Sequence, residues 1–214
     1  MNIEKTLKNL KKNNMTPYVV KDKNEAARKV LSLLSENETV AVGGSMTLFE
    51  CGIIELLRSG KYNFLDRYKE GLSREEVMKL YRESFFADTY ISSSNAVTEN
   101  GELYNVDGNS NRVAALLFGP KSVIIVVGKQ KIVENLDEAV RRVKKVAAPK
   151  NSKRLSCSTY CEKKGVCVSE AYSASDMTDG CASDDRICAN YTVMAQQRIK
   201  DRIKVIIIDE EAGY

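Results

Sequence analysis

Ile3, Leu7 and Leu10 recur at i, i+4 and i+7, the spacing of one helix face, and Pro17 to Val20 then reads as a strand. A second helix is predicted over Glu25 to Leu34. Thr39 to Val42 is a short buried strand that runs into Gly43, Gly44 and Ser45, after which Leu48, Cys51, Ile54 and Leu57 repeat at helical spacing. That is a strand, glycine turn, helix unit. Phe64 marks another short strand, and Ser73 with Glu76 three residues on is a capping box opening a helix to Phe85. Ala87 to Ser92 reads as a strand and Asn95 to Val106 as a hairpin around Glu99, Asn100, Gly101 and Glu102. Asp107, Gly108 and Asn109 begin a helix through Leu117. Val123 to Val127 is an apolar strand, and Leu136 to Val146 an amphipathic helix.

Strands alternating with helices predict an α/β fold, an open and mainly parallel sheet with helices on both faces. From Asn151 to Asn190 the periodicity lapses, five of the six cysteines fall between Cys157 and Cys188, and Ser, Asp and Gly dominate. Such a segment buries little by itself. Arg202 to Asp209 returns to a strand pattern, so residues 151–190 are expected to be an excursion from one domain spanning 1–214.

Composition narrows the chemistry. The 214 residues include 33 Lys and Arg, 29 Asp and Glu and no histidine, for a net charge of +4. Without an imidazole there is no Ser-His-Asp or Cys-His nucleophile pair and no His-ligated metal. The longest apolar runs fall far short of the roughly 20 residues of a membrane span, and the N-terminus lacks the apolar stretch of a signal peptide. A cytoplasmic protein is expected, whose cysteines are thiols or metal ligands rather than disulfides. The mild charge, with no basic face interleaved with aromatics, does not point to nucleic acid. Nine basic against three acidic residues between Lys129 and Arg154 read as a solvated helix face plus linker.

Three groups of residues can carry chemistry. The turn Gly43, Gly44, Ser45 opens a helix, where free N–H groups favour an anion; the alternative is a tight turn with Ser45 as its N-cap. Small polar residues crowd the loops from Ser92 to Gly101 and from Asn105 to Arg112. There Glu99 can serve as nucleophile or general base, Arg112 as an anion clamp, and Asn95 and Asn111 as hydrogen-bonding positioners; the alternative is turn chemistry. The cysteines Cys157, Cys161, Cys167, Cys181 and Cys188 can close a sulfur shell around zinc or an iron–sulfur cluster, or remain thiols or pair as disulfides. Cys51, on the apolar stripe of its helix, reads as core.

Together these motifs resemble the LUD-domain family of lactate-utilisation proteins. The resemblance runs from the Gly43 turn through Ala87 to Ala96, Glu99 to Leu103, Phe118 to Lys121, Val126 to Val133 and Ala147 to Pro149. Its most specific block is Asn105, Val106, Asp107, Gly108, Asn111 and Arg112. It implies a sheet like that of sugar-phosphate isomerases and CoA transferases (a NagB/RpiA/CoA transferase-like fold), a pocket between the Gly43 turn and the Asn95 to Arg112 loops with Asp107 in it, and a role in lactate-type organic-acid metabolism. Val97, Thr98, Glu99, Asn100 and Gly101 resemble the segment whose Glu forms the acyl thioester in CoA transferases, which implies a small anionic or CoA-linked substrate. The family's short-chain branch carries four cysteines, matched by Cys161, Cys167, Cys181 and Cys188; this implies a 4Fe–4S cluster or zinc. Tyr160 stands where the family usually has Pro, 13 residues separate Cys167 from Cys181 where it has two between its second and third cysteines, and Cys157 is additional. The other implied role is a non-catalytic subunit that docks an iron–sulfur or flavin redox partner.

Overall fold

The apolar runs assemble into two sheets in a computed structural model that describes residues 1–171 and 176–214. In chain order the strands are β1 (Thr16–Val20), β2 (Thr39–Val42), β3 (Asn63–Leu65), β4 (Thr89–Ser92), β5 (Ala96–Thr98), β6 (Leu103–Asp107), β7 (Ser122–Gly128), β8 (Ile132–Val133), β9 (Asn190–Met194) and β10 (Ile203–Ile208). The main sheet has the order β1-β10-β7-β4-β2-β3, with every pair parallel. The expected mainly parallel sheet is therefore present, and β10, the returning strand, sits inside it between β1 and β7.

Alternation along the central strands sends side chains to two cores. Val123, Ile125 and Val127 of β7, with Val205 and Ile207 of β10, face one side. Ile124, Val126, Ile206 and Ile208 face the other. That second side is covered by α2 (Lys23–Leu31), α3 (Met46–Glu50) and α4 (Ile53–Leu57), through Ala27, Val30, Leu48 and Ile54. The helix expected after the glycine turn is two short helices, because Gly52 at φ +67 breaks it.

The first side departs from the expectation of helices alone. Leu10 of α1 (Ile3–Lys12) and Leu116 of α6 (Asn111–Leu117) pack there, but so do Val97, Leu103 and Met194 of a second sheet, ordered β8-β5-β6-β9. The β5–β6 hairpin is antiparallel, as its turn residues predict. Its partner β9 was not legible, since its alternation is half-exposed and falls at the end of the Cys-rich stretch. The outer face of this sheet packs on α7 (Leu136–Arg142) through Ala96, Tyr104, Ala139 and Val140.

The capping box forms as expected: the Glu76 amide donates to Ser73 Oγ at 3.2 Å and the Ser73 amide to Glu76 Oε2 at 2.7 Å, opening α5 (Arg74–Glu83). Beyond α7 the chain makes one π turn over Val143–Ala147 and continues as α8 (Ala148–Arg154). Pro149 lacks the N–H that would bond back one turn, and the turn before it is the wide one. The basic run there is solvated only in part, with Arg141, Lys145, Lys150, Lys153 and Arg154 exposed. Lys131, Arg142 and Lys144 are buried, and the Arg142 guanidinium donates to the Asn95 and Gln130 carbonyls at 2.7 and 3.1 Å. The Cys-rich segment holds α9 (Tyr160–Lys164) and α10 (Val168–Ala171); its residues 172–175 lie outside the described residues. Among the described residues no helix is long and apolar enough to cross a membrane.

The chain leaves β2 toward the β3 edge and leaves β4 toward β7 in the opposite direction. Their C-terminal ends therefore flank the crevice where open α/β sheets place ligands.

Candidate functional site

A cleft of about 320 Å³ opens at that crevice, between Gly44 to Met46, Ser93 to Asn95, the loop from Val106 to Arg112, α8 and Tyr214. Gly43 lies beneath it. A Cβ there would stand 2.6 Å from Ser92 Oγ and 2.9 Å from Arg112 Cγ, so this position must be glycine for the arginine to pass. Gly44 is open, with the nearest atom 3.8 Å from a built Cβ. Ser45 caps α3 in position only: its hydroxyl makes no capping bond and is buried without a partner among the described residues, in the cleft wall.

Arg112 is the hub of the site rather than its anion clamp. Nη1 donates to the Ser93 carbonyl at 3.1 Å and Asn105 Oδ1 at 2.7 Å, Nη2 donates to Asn95 Oδ1 at 2.9 Å and the Val106 carbonyl at 2.8 Å, and Nε faces Asp107 Oδ2 at 3.4 Å. A guanidinium has five N–H donors. All five are directed at protein acceptors. Asp107 is equally committed, since its Oδ1 accepts from the Asn109 and Ser110 amides at 3.0 and 2.9 Å and holds the start of α6. Ser110 there adopts φ +64, a left-handed conformation retained beside the cleft.

The cations free to act are others. Arg67 stacks on Tyr81 at 4.3 Å from the ring centroid and spends one donor on the Tyr81 hydroxyl. Arg154 bonds Tyr214 and Asn151 through Nε and Nη2. Lys131 lies at the base, 3% exposed, donating to Thr47 Oγ1 at 2.8 Å and Ser93 Oγ at 3.0 Å. Among the described residues the lining thus holds the basic side chains of Arg67, Arg112, Lys131 and Arg154 against the one side-chain carboxylate of Asp107.

Of the expected residues the cleft gathers Gly44, Ser45, Asn95, Asp107, Asn111 and Arg112. Glu99 is elsewhere. It sits at the far end of the β5–β6 hairpin, roughly 13 Å along β6 at about 3.3 Å per residue from Asp107. Its carboxylate pairs with Lys5 Nζ at 3.2 Å, a hydrogen bond that holds its pKa below the ordinary carboxylate value. Asn9 Nδ2 donates to its carbonyl at 2.7 Å, and a Cβ on Gly101 (φ +81) would meet the α1 backbone at 2.7 Å. The Glu99 to Gly101 turn docks α1.

Cys161, Cys167, Cys181 and Cys188 line one enclosed cavity with Tyr104, Val143, Ala148 and Met177, while Cys157 is not on its wall. All are free thiols, as is Cys51, which is core as expected. Burial raises the Cys188 thiol, and Arg186 pulls it back. Tyr104 Oη is buried in this wall without a partner among the described residues. Among the described residues no three Cys, Asp or Glu side chains stand close enough together to hold a metal ion. The donor type suits a thiophilic metal and the four thiols share one wall. Cys188 borders both this cavity and the cleft.

The family model described as the LUD domain matches residues 3–208. The chain belongs to the LUD domain family. Its fold is shared with the crystal structure of a DUF162 family protein from Deinococcus radiodurans, at 15% identity and a TM-score of 0.54, over 96% of this chain and 95% of that one. Partial overlays are found with ribose 5-phosphate isomerase from Plasmodium falciparum (20% identity, TM-score 0.33, 53% of each chain). Another is with eIF2B delta from Chaetomium thermophilum (19%, 0.36, 52% and 48%). No curated protein matches the sequence.

Within this LUD domain, sequence reasoning missed Lys131, Arg67 and Arg154. The local signal is a Gly-Lys-Gln-Lys turn directly after an apolar strand, which brings two lysines to the end of the core without deciding which of them turns inward. Burial, with Arg142 and Arg112 nearby, lowers the Lys131 pKa from 10.5 to about 7, only partly opposed by Glu50 and Cys51. The sign follows from linkage. Below about pH 7 the folded chain carries this charge against burial, and the cost is fully present. Between there and 10.5 the unfolded chain keeps a proton the folded chain has released, so stability rises with pH; above both values the contribution vanishes. Lys131→Met is therefore expected to stabilise the LUD domain at pH 6 by on the order of a few kcal/mol, with the gain shrinking toward pH 10. Urea denaturation at both pH values measures it, and a gain independent of pH would refute a buried charge.

Proposed function

We propose that this LUD protein acts in lactate-type organic-acid metabolism by binding a small free anion, a carboxylate or phosphate, in the cleft at the ends of β2 and β4. The observation that carries this reading is the charge balance: the Arg67 and Arg154 guanidinium groups face the space, while the one carboxylate side chain of its lining among the described residues is bound to Arg112 and to backbone amides. A CoA-linked substrate attacked by Glu99 is disfavoured, because that carboxylate is paired with Lys5 at the other end of the hairpin. Cys161, Cys167, Cys181 and Cys188 are proposed to hold an iron–sulfur cluster or zinc in the neighbouring cavity. A cluster would supply electron transfer beside the cleft, and zinc a structural tie.

Gly44 and Gly43 separate binding from folding. Gly44 has room for a side chain, and one placed there enters the cleft. Gly44→Val is expected to leave the melting temperature within a few degrees and to weaken binding of pyruvate, lactate or inorganic phosphate at least about tenfold, the loss of one charge-assisted contact. Isothermal titration calorimetry measures it. Unchanged affinity for an anion that does bind, with the fold intact, removes the cleft as the binding site.

A further inference from the structure

We propose that Lys131 is a covalent amine, whose Nζ condenses with the carbonyl carbon of a small anionic carbonyl compound held in the cleft. The proposal rests on the anion-binding reading above and names the group that reacts.

Lys131 lines the cleft floor, is 3% exposed, and meets two hydroxyls, Thr47 Oγ1 at 2.8 Å and Ser93 Oγ at 3.0 Å, but no carboxylate among the described residues. Glu50, the acid near it on α3, is occupied: its Oε2 accepts from the Gly213 amide at 2.9 Å and faces Lys23 Nζ at 3.8 Å. The other charged or titratable groups around the amine are Arg112 from α6, Arg142 from α7 and Cys51 at the end of α3. Two of these three are cations that cannot shed their charge. The amine therefore relieves both burial and repulsion by losing its proton, and its pKa falls to about 7. A fixed positive charge for anion binding would be served by arginine, which stays protonated when buried, whereas a buried lysine turns into a nucleophile or base near neutral pH.

The step needs no outside reagent. The Nζ lone pair attacks the carbonyl carbon, the C–O π bond opens, and the oxygen takes up the proton that leaves nitrogen, with Ser93 Oγ placed to relay it. The carbinolamine hydroxyl takes up one proton from solvent and leaves as water, giving a protonated imine; nothing is oxidised or reduced. The imine carries the charge that Lys131 had shed, and the ligand's own anion offsets it. The substrate class is a compound with carbonyl and anion on one small frame, either a 2-oxo acid or a phosphorylated aldehyde.

The test is reductive trapping on the full chain at pH 7.5. Pyruvate and glycolaldehyde phosphate are used in separate arms with sodium cyanoborohydride, followed by peptide mapping and by calorimetric binding of each probe without reductant. Lys131 is expected to be labelled about tenfold or more faster than any exposed lysine, because a far larger fraction of it is neutral. The faster arm identifies the anion. Lys131→Met should abolish this label and spare the slow surface labelling. Binding of either probe without preferential labelling of Lys131 overturns the amine and leaves the cleft reading standing. Neither binding nor label overturns both.

Discussion

Arg112→Met is expected to lower stability by about 3–5 kcal/mol, the range for removing one partner of a buried ion pair. In a chain of this size that is a fall in melting temperature of roughly 10 °C. Four hydrogen bonds disappear together, and the Asn95 and Asn105 side-chain oxygens and the Ser93 and Val106 carbonyls lose a donor inside the protein. Asp107 loses its facing cation while still holding the Asn109 and Ser110 amides. Arg112→Lys should recover only a fraction of the loss, since one ammonium cannot span acceptors on both sides of the loop. If Arg112 were instead an anion clamp, its removal would cost affinity and spare stability. A melting temperature within about 2 °C of the parent chain, with ligand affinity lost, would therefore restore the clamp.

The same arginine shows what the sequence can and cannot disclose. Its place in the site was legible, because Asp107, Gly108, Asn111 and Arg112 are turn and cap chemistry between an apolar strand and an apolar helix. Its role was not, since hub and clamp differ only in whether the five donors point into the protein or out of it, and nothing local in the sequence decides that. Glu99 fails for a related reason. The Glu-Asn-Gly turn was read rightly as a turn, but which end of a hairpin faces the ligand depends on where the hairpin packs, and the hydrogen bond from Asn9 of α1 to the Glu99 carbonyl closes 90 residues of chain.

Period-two strands were legible wherever both faces are buried, as in β7 and β10, whose residues divide cleanly between two cores. β9 was not, because only Met194 of its five residues is buried. The buried lysine was hidden by its neighbours. Lys129 pairs with Asp209 on the surface and Lys131 turns inward, yet both sit in one basic turn. Charge counting treats them alike, and only the fold separates a solvated lysine from a buried one.

Anaerobically prepared protein is expected to contain one zinc ion or one iron–sulfur cluster bound by Cys161, Cys167, Cys181 and Cys188. Ordering chain costs about 1–2 kcal/mol per residue. Between Ser156 and Ala189 the buried side chains among the described residues are Thr159, Cys161, Cys167 and Ser169. No large aliphatic residue is in that set, so thiols occupy the places a core would fill. Four thiolates on one metal can supply on the order of 10 kcal/mol, and the long Cys167 to Cys181 loop adds little to the cost because closure entropy grows only logarithmically with length. Chelation should then speed amide exchange and alkylation across residues 157–190 while β7 and β10, packed in other cores, keep their protection. Burial alone also slows alkylation of Cys161 and Cys167, so the comparison with and without chelator decides the matter. Less than about half an equivalent of iron and zinc together, or an alkylation pattern that chelation leaves unchanged, would leave four thiols in one cavity and no metal centre.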